Sequence, residues 1–316
     1  MFNNLNKDHY LINVLIALFV TFLWSSSFVI IKWGLEDVPP IIFSGFRYFT
    51  ASILLVFLIL LKKGERQHLK QLKSLDVLQI LFYGLIFVFF TQGLQYLGLY
   101  YLPAISFTLI LNLTIIIVMI FSAILLKEYI SKLELFIIFI TLIGIYLYFD
   151  DKLNLNLEIL GFFIGVAALL TNSASTIYGR YLNRDRKYSS LLITGLSMSF
   201  GSILLLLVGL FFEKPSFSAI SIIYILWLAI FNTALAFTLW NYTMARLRAI
   251  DSALINNTML PQIVVLSFIF LNEHPNLGDW FGIAIVAISI FIIQLLQAKN
   301  NKKIEIDVYT KENLTS

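Results

Sequence analysis

The residues AISFTLILNLTIIIVMIFSAILLKE at positions 104–128 recur without a gap as AIDSALINNTMLPQIVVLSFIFLNE at positions 249–273. The overlay places Asn112 opposite Asn257 and Glu128 opposite Glu273. Aliphatic matches carry little information here, because any two membrane helices share Leu and Ile. Polar matches carry more, because polar residues are rare in such stretches. This self-similarity predicts that the chain contains two copies of one structural unit.

The composition excludes most classes of soluble protein. Of the 316 residues, 59% are hydrophobic and 13% are charged, whereas a soluble globular chain carries about 25% charged residues. We therefore expect an integral membrane protein and not a soluble enzyme, a nucleic-acid-binding protein or a disordered chain. The sequence contains no cysteine, which excludes disulfides, thiol catalysis and thiolate metal sites.

Ten stretches are long and apolar enough to cross a bilayer, because about 30 Å of hydrocarbon at about 1.5 Å per residue requires about 20 residues. Helices are expected, since lipid excludes open strands and the alternating segments of a barrel are absent. The predicted fold class is all-α integral membrane, with ten transmembrane helices. The spans are Leu11–Ile31, Ile41–Leu61, Val77–Leu97, Pro103–Leu126, Leu133–Phe149, Ile159–Gly179, Leu191–Phe212, Ile222–Tyr242, Ile250–Leu271 and Trp280–Leu296.

The basic residues predict how the chain is oriented. With the N-terminus in the cytoplasm, the outer loops hold only Lys32, Lys152 and Lys214, and Arg47 lies inside a span. The other 18 of the 22 Lys and Arg residues then lie on the cytoplasmic side, which is a strong positive-inside signal. We expect both termini in the cytoplasm, and the positive net charge requires no nucleic-acid partner.

Each copy of the repeat holds five spans, and an odd number turns the second copy over relative to the first. The sequence therefore predicts two inverted five-helix repeats, residues 1–149 and 150–297, followed by a disordered cytoplasmic tail at 298–316. Inverted repeats of this kind are typical of secondary transporters, whose binding site lies near the midplane between the halves.

Short motifs in both halves resemble the EamA group of the drug/metabolite transporter superfamily. The first half carries WSSSF at 24–28, FSGFR at 43–47 and LLKE at 125–128, and the second carries FLNE at 270–273 after Pro261. In the family pattern, a Pro in the middle of the fourth span of a repeat precedes a Glu at its end. The second half has this Pro as Pro261, whereas the first half has Ile116 at the matching position. The resemblance covers nearly the whole chain. It implies export of amino acids or related compounds by alternating access.

The predicted function is a secondary transporter for a small polar metabolite in a bacterial-type plasma membrane. The sequence has no glycine-rich phosphate loop, so this chain alone is not expected to pump with ATP. Its histidines, His9, His68 and His274, fall in loops or a tail, so neither an enzyme, a metal site nor a cofactor is expected. The alternatives are a facilitator or lipid-linked sugar flippase of the same fold and, less favoured, a membrane sensor or enzyme.

Arg47 is the one charge clearly inside a span. A charge there costs about 2.5–3.5 kcal/mol on insertion scales unless it faces water or a partner. One interpretation is an anion clamp, since a guanidinium binds a carboxylate or phosphate with paired donors. The alternative is an arginine that extends outward to the lipid headgroups.

Uncharged polar residues are the other candidates for contact with the solute. Asn112 and Asn257 lie near the middle of their spans, where amides suit a neutral or zwitterionic solute, although hydrogen bonding between helices is the alternative. Pro261 frees a backbone carbonyl near Asn257, and a polar, broken helix typically lines a cavity. The remaining candidates lie on the first, third, sixth and eighth spans: Trp24, Ser27, Gln92, Gln95, Asn172, Trp240 and Asn241.

Three charged residues at the ends of spans are candidates for gating or coupling. Glu128 and Glu273 end the fourth and ninth spans on opposite faces, and Lys32 ends the first. A carboxylate at a helix C-terminus is disfavoured by the helix dipole, so each Glu should have a compensating partner. Structural pairing, for example with Lys127, is favoured over proton coupling for the two Glu. Interfacial anchoring is favoured for Lys32.

Polar residues concentrate in the first, third, fourth, sixth, eighth and ninth spans, which are therefore expected to surround the path. The fifth and tenth spans have almost no polar residue in their interiors. They should face lipid or a second subunit, which leaves a homodimer through these two spans as the predicted protein partner.

Overall fold

The computed structural model describes residues 2–126, 130–150, 156–184, 188–244, 246–247 and 249–315, and every secondary-structure element in those ranges is a helix. The helices in chain order, with two π-helical stretches, are α1 (Phe2–Gly34), α2 (Pro40–Leu61), α3 (Lys63–Lys70), α4 (Ser74–Gly84), π1 (Leu85–Gln92), α5 (Gly93–Tyr101), α6 (Ala104–Asn112), α7 (Thr114–Leu126), α8 (Lys132–Phe149), α9 (Asn156–Arg184), α10 (Ser190–Phe212), α11 (Ala219–Ala229), π2 (Ile230–Leu235), α12 (Ala236–Met244), α13 (Ala249–Asn257), α14 (Met259–Phe270) and α15 (Leu277–Thr315).

Nine helical stretches in the described part of the chain are long and apolar enough to cross a membrane. They coincide with the predicted spans except the ninth, where the structure has a shorter apolar helix, Leu254–Phe270. The helices α4, π1 and α5 together form the third span, and α11, π2 and α12 form the eighth. The all-helical architecture expected of an integral membrane protein is therefore present.

Large apolar side chains cover the outside of the bundle. Phe136 and Phe139 on α8 and Leu207 and Phe211 on α10 are each at least 60% exposed. Hydroxyl groups such as that of Ser44 are instead buried between helices. This distribution is the reverse of a soluble bundle, and it follows when hydrocarbon and not water is the surrounding medium.

The helices α2 and α10 form one of the two most extensive helix contacts, and they run antiparallel. Glu213, just after α10, accepts hydrogen bonds from the N–H groups of Ile41 and Ile42 in the first turn of α2 (3.1 and 2.8 Å). Ser189, before α10, donates to Glu65 beyond the end of α2 (2.5 Å). We call the end of the bundle with Glu213 the distal end and the end with Glu65 the proximal end.

The other extensive contact joins α8 to α15, the fifth and tenth predicted spans, at a glycine crossing. A Cβ added to Gly282 would lie 2.7 Å from the carbonyl oxygen of Gly144, so only glycine permits this approach. Phe139 on α8 and Ile288 on α15 remain exposed. One side of each helix is thus free to face lipid while the other side packs within the chain. A homodimer through them stays a prediction.

The helix α15 continues through Thr315, and this differs from the disordered tail predicted at 298–316. That prediction rested on the polarity of the segment and on its lack of structure signals. The sequence after Gly282 contains no Gly or Pro, and Lys, Glu and Leu are good helix formers. A helix already propagating from the tenth span therefore meets no residue that would end it.

We expect Gly282→Ala to lower the thermal unfolding midpoint of the purified protein, because its Cβ would force α8 and α15 apart at a cost of about 1–3 kcal/mol. Gly64→Ala in α3 is the matched control, since a Cβ there meets nothing within 4 Å. Equal thermal unfolding midpoints of the two variants would contradict the close approach of α8 and α15.

Candidate functional site

The fourth and ninth predicted spans are each broken near the middle at repeat-related positions. The breaks fall at Leu113, between α6 and α7, and at Thr258, between α13 and α14. The N–H groups of these two residues bond carbonyls only three residues back (3.1 and 3.0 Å). The hydroxyls of Thr114 and Thr258 do the same (2.6 and 2.7 Å). Because Ile116 stands in the first copy where the second has Pro261, proline is not required for the break.

A buried polar layer joins the second break to α1. Ser25 donates to the Oε1 atom of Gln262 (3.0 Å), and the Nε2 atom of Gln262 donates to the hydroxyls of Thr258 and Thr21 (3.0 and 3.3 Å). Ser25 and Thr21 are fully buried. The layer connects a helix of the first predicted repeat with one of the second at the point where the ninth span changes direction.

The two π-helical stretches occupy repeat-related places in the third and eighth spans. In each, a threonine hydroxyl donates to the carbonyl five residues earlier, Thr91 to Ile86 and Thr233 to Leu228, both at 2.8 Å. A π-helical turn is rare and is frequently found at functional sites. In π2 the hydroxyl of Thr233 also accepts a hydrogen bond from Arg47.

Arg47 is 4% exposed, and its guanidinium lies between the two halves of the chain. Its Nε atom donates to Thr233 in π2 (3.0 Å), and its Nη1 atom donates to the hydroxyl of Tyr96 in α5 (3.2 Å). The ring of Tyr48 lies 5.0 Å away, and its hydroxyl donates to Gln92 (2.6 Å). No carboxylate in the described ranges pairs with Arg47, whose hydrogen-bond partners are neutral hydroxyls.

The predicted residues Trp24 and Trp240 are brought together, with ring centroids 5.2 Å apart. Phe237 lies 5.6 Å from Trp24 and 6.1 Å from Phe87, so the aromatic contacts continue from α1 and α12 to π1. Ser27 is buried and donates to the carbonyl of Trp24 (2.5 Å), which makes it a packing residue in this conformation.

Two of the predicted asparagines, Asn172 and Asn257, bond side chains of other helices, whereas Asn112 bonds its own helix. Asn257 and Gln294 of α15 exchange hydrogen bonds, and Asn172 of α9 donates to Thr114 of α7 (3.0 Å). Asn112 donates to a carbonyl of its own helix (2.8 Å). For Asn257 this contact matches the interhelical alternative named above, and contact of the three asparagines with a solute stays a prediction.

Three further candidates lie apart from these contacts. Pro261 is exposed on the face of α14 that carries Val265 and Phe268, while Gln262 faces α1. Gln95 and Asn241 are half-buried on α5 and α12. Pro261 and Gln262 therefore face different sides of α14.

Glu273 has the compensating partner that the helix dipole requires. Its two carboxylate oxygens accept hydrogen bonds from the N–H groups of Ala104 and Ile105 at the start of α6 (2.6 and 2.9 Å). Asn272 makes this possible, because its φ of 54° turns the chain back after α14, in a left-handed conformation that Asn tolerates. The carboxylate of Glu273 thus lies at the N-terminus of α6, which stabilises negative charge, and not at the C-terminus of α14, which disfavours it. Its repeat mate Glu128 lies outside the described residues.

Lys32 lies beside the same corner at the distal end. Its ammonium donates to the carbonyl oxygens of Leu99 and Leu102 (2.8 and 3.1 Å), where α5 ends. Those carbonyls have no further helical turn to satisfy them. Lys32 and Glu273 together hold the junction between α5 and α6, which joins the third span to the fourth.

Several residues of this site were not singled out by the sequence: Tyr48, Tyr96 and Glu213. Tyrosine is common among the aromatic residues of this chain, so nothing local marks Tyr96 as a partner of Arg47. Glu213 follows an apolar span much as Glu273 does, and this spacing was the available signal.

Apolar spans broken at two repeat-related points around a buried polar layer define a multi-pass membrane protein with the architecture of a transporter. The chain matches the EamA-like transporter family over residues 11–149 and 159–295, and it belongs to that family. The two matched segments correspond to the two copies seen in the sequence.

Similar proteins are themselves transporters by name. The uncharacterized transporter YvbV of Bacillus subtilis (strain 168) is 24% identical over 285 residues, which cover 88% of this chain and 90% of that one. The uncharacterized transporter YetK of the same organism is 28% identical over 84% of this chain and 82% of its own length. A crystal structure of another protein superposes with a TM-score of 0.66 at 16% identity, covering 90% of this chain and 98% of that one, so the fold is shared.

We expect Thr233→Val to destabilise the protein by about 1–3 kcal/mol, because the buried guanidinium of Arg47 would lose one of its two acceptors. Thr238→Val is the matched control, since Thr238 lies on the next turn, is exposed and bonds only its own helix. The measurement is thermal unfolding of both purified variants. Equal midpoints would show that the Arg47 contact contributes nothing.

Proposed function

We propose that this protein is a secondary transporter that moves a small polar solute, an amino acid or a related zwitterionic compound, outward across a bacterial-type plasma membrane. Residues 1–149 and 150–297 act as two inverted repeats that exchange conformations. Membership of a transporter family supports the transport step, and the antiparallel packing of α2 against α10 supports the inversion. The broken fourth and ninth spans supply the flexible points.

The observation that carries the choice of solute is the environment of Arg47. A buried guanidinium is stabilised most strongly by a carboxylate, which forms two charge-assisted hydrogen bonds with it. Among the described residues, the hydrogen-bond partners of Arg47 are the hydroxyls of Thr233 and Tyr96. A solute carboxylate that displaced one hydroxyl would supply the missing charge. The site therefore favours a zwitterionic or anionic solute over a purely cationic one.

The corner held by Glu273 and Lys32 acts as the distal gate. Glu273 belongs to the second repeat and the start of α6 to the first, so their contact must break if the halves separate at this end. The carboxylate and the exposed N–H groups would then be hydrated. Both partners retain good interactions with water, so the open state is accessible without an unsatisfied buried group.

We expect Arg47→Gln and Arg47→Lys to lower flux of zwitterionic solutes into proteoliposomes by at least about tenfold, because neither side chain offers the forked guanidinium. Arg246→Gln is the control, since Arg246 is exposed and stacks on Tyr242. Asn112→Ala and Asn257→Ala test the asparagines in the same assay. Unchanged flux in both Arg47 variants would remove the site assignment, and transport of cationic amines alone would remove the solute class.

The gate is tested by thiol labelling, for which the natural absence of cysteine provides the background. A single Ser25→Cys in the polar layer should react faster with a membrane-impermeant maleimide, applied from the distal side, when Glu273→Gln is also present. Loss of the carboxylate weakens the contact with α6 and favours distal opening. Glu65→Gln is the matched control, because Glu65 also joins the two halves, through Ser189, but at the proximal end. Equal labelling in all backgrounds would contradict a gate at Glu273.

A further inference from the structure

A cavity lies at the distal end, apart from Arg47 and the polar layer. It has a volume of about 260 Å³ and lies between the end of α1 and the start of α11. Its lining consists of Trp33, Glu36, Asp37, Ile220 and Tyr224. Trp33 lies at the end of an apolar span, a position typical of an aromatic anchor at the membrane interface.

Two aromatic rings form one wall of the cavity. The ring centroids of Trp33 and Tyr224 are 6.2 Å apart, and the ring planes are inclined by 36°. Phe270 contacts Trp33 edge-on at 6.1 Å and so restrains its indole. Both wall residues are half-buried, which leaves part of each ring open to the cavity.

Two carboxylates, those of Glu36 and Asp37, also line the cavity, and both residues are exposed. Asp37 is fixed in place, because its Oδ2 atom accepts a hydrogen bond from Ser218, the N-cap residue of α11 (2.5 Å). No Lys or Arg is among the lining residues that the structure describes. Lys32, the nearest basic residue in sequence, donates its hydrogen bonds to the carbonyls of Leu99 and Leu102, and it lies close enough to Glu36 for a Coulomb attraction. The cavity therefore carries negative charge without a basic side chain in its lining.

Aromatic faces beside carboxylates form the environment that stabilises an organic ammonium group. A cation over a tryptophan or tyrosine face gains about 0.5–2 kcal/mol, and adjacent carboxylates add Coulomb attraction. The volume lies just below the usual range for small-molecule sites, roughly 300–1,000 Å³, and so suits a headgroup-sized compound. A carboxylate or phosphate alone would be repelled by Glu36 and Asp37.

We propose that this cavity binds an organic ammonium group, either of a free small amine or of a zwitterionic lipid headgroup. The site lies at the distal end and includes neither Arg47 nor the gate residues. Its occupancy does not depend on the transport activity proposed above, and either proposal can fail without the other.

The test is ligand-dependent thermal stabilisation of the full chain purified in detergent. Choline and tetramethylammonium should raise the unfolding midpoint in a saturable manner, whereas 3,3-dimethylbutanol, a neutral analogue of choline, should not. The apparent affinity should fall by about tenfold in Trp33→Leu and in Glu36→Gln, which corresponds to the expected cation–π and charge contributions. Equal shifts with choline and its neutral analogue would overturn the proposal.

Two controls separate loss of binding from loss of folding. Trp280→Leu removes another distal tryptophan that does not line the cavity, and it should bind choline as the natural sequence does. Glu36→Gln leaves the hydrogen bond between Asp37 and Ser218 intact, so the turn itself is preserved. Unchanged choline affinity in both Trp33→Leu and Glu36→Gln would overturn the site.

The source of the ammonium group is distinguished in lipid nanodiscs. If a lipid headgroup is the occupant, phosphatidylcholine discs should stabilise the protein relative to phosphatidylglycerol discs, and Trp33→Leu should abolish this difference. Free choline should then give no further stabilisation in phosphatidylcholine discs. A free amine as occupant predicts equal choline binding in both kinds of disc. Absence of any choline effect in detergent and of any difference between discs would refute both sources.

Discussion

Every backbone N–H and C=O group inside a bilayer needs a partner within the protein, because hydrocarbon offers none. Helices satisfy this requirement along their length but not at their ends. In this protein Glu213 and Glu273 bind the free N–H groups at the starts of α2 and α6. Both carboxylates come from the second half of the chain and both helix starts from the first. The contacts that complete the helices thus also join the halves.

The same requirement explains the polar residues at the irregular parts of the spans. Where π1 and π2 widen the helix, the hydroxyls of Thr91 and Thr233 bond carbonyls five residues earlier. Where the fourth and ninth spans break, Thr114 and Thr258 bond carbonyls three residues earlier. A Ser or Thr hydroxyl that bonds a carbonyl of its own helix often bends that helix, so the same contact satisfies the hydroxyl and accompanies the irregular geometry.

Arg47 and the distal cavity present opposite electrostatic environments. Arg47 is a buried cation with neutral hydrogen-bond partners, whereas the cavity beside Trp33 holds carboxylates and no basic lining residue. Lys32 and Trp33 are consecutive, and side chains of consecutive helical residues diverge by about 100°. Because of this divergence, Lys32 contacts the α5–α6 corner while Trp33, on the same turn of α1, lines the cavity.

Much of the fold was predictable because it depends on contiguous residues. Apolar length predicted the spans, and polar matches within an apolar background predicted the repeat. Arg47 was recognisable because a charge within a span is costly wherever it points. Its partners were not, since Tyr96 and Thr233 lie 49 and 186 residues away. The break at Leu113 was also missed, because no proline marks it and hydroxyl bonding depends on the side-chain rotamer.

The sequence by itself determined the membrane-spanning helices, the internal repeat and the family, because apolar length and motif spacing are local properties of the chain. Only the tertiary structure decided that Glu273 caps α6, that Asn257 pairs with Gln294 and that α8 packs on α15 at Gly144 and Gly282. Those outcomes depend on which helix surfaces meet. A carboxylate or an amide has several chemically equivalent partners, and geometry alone selects among them.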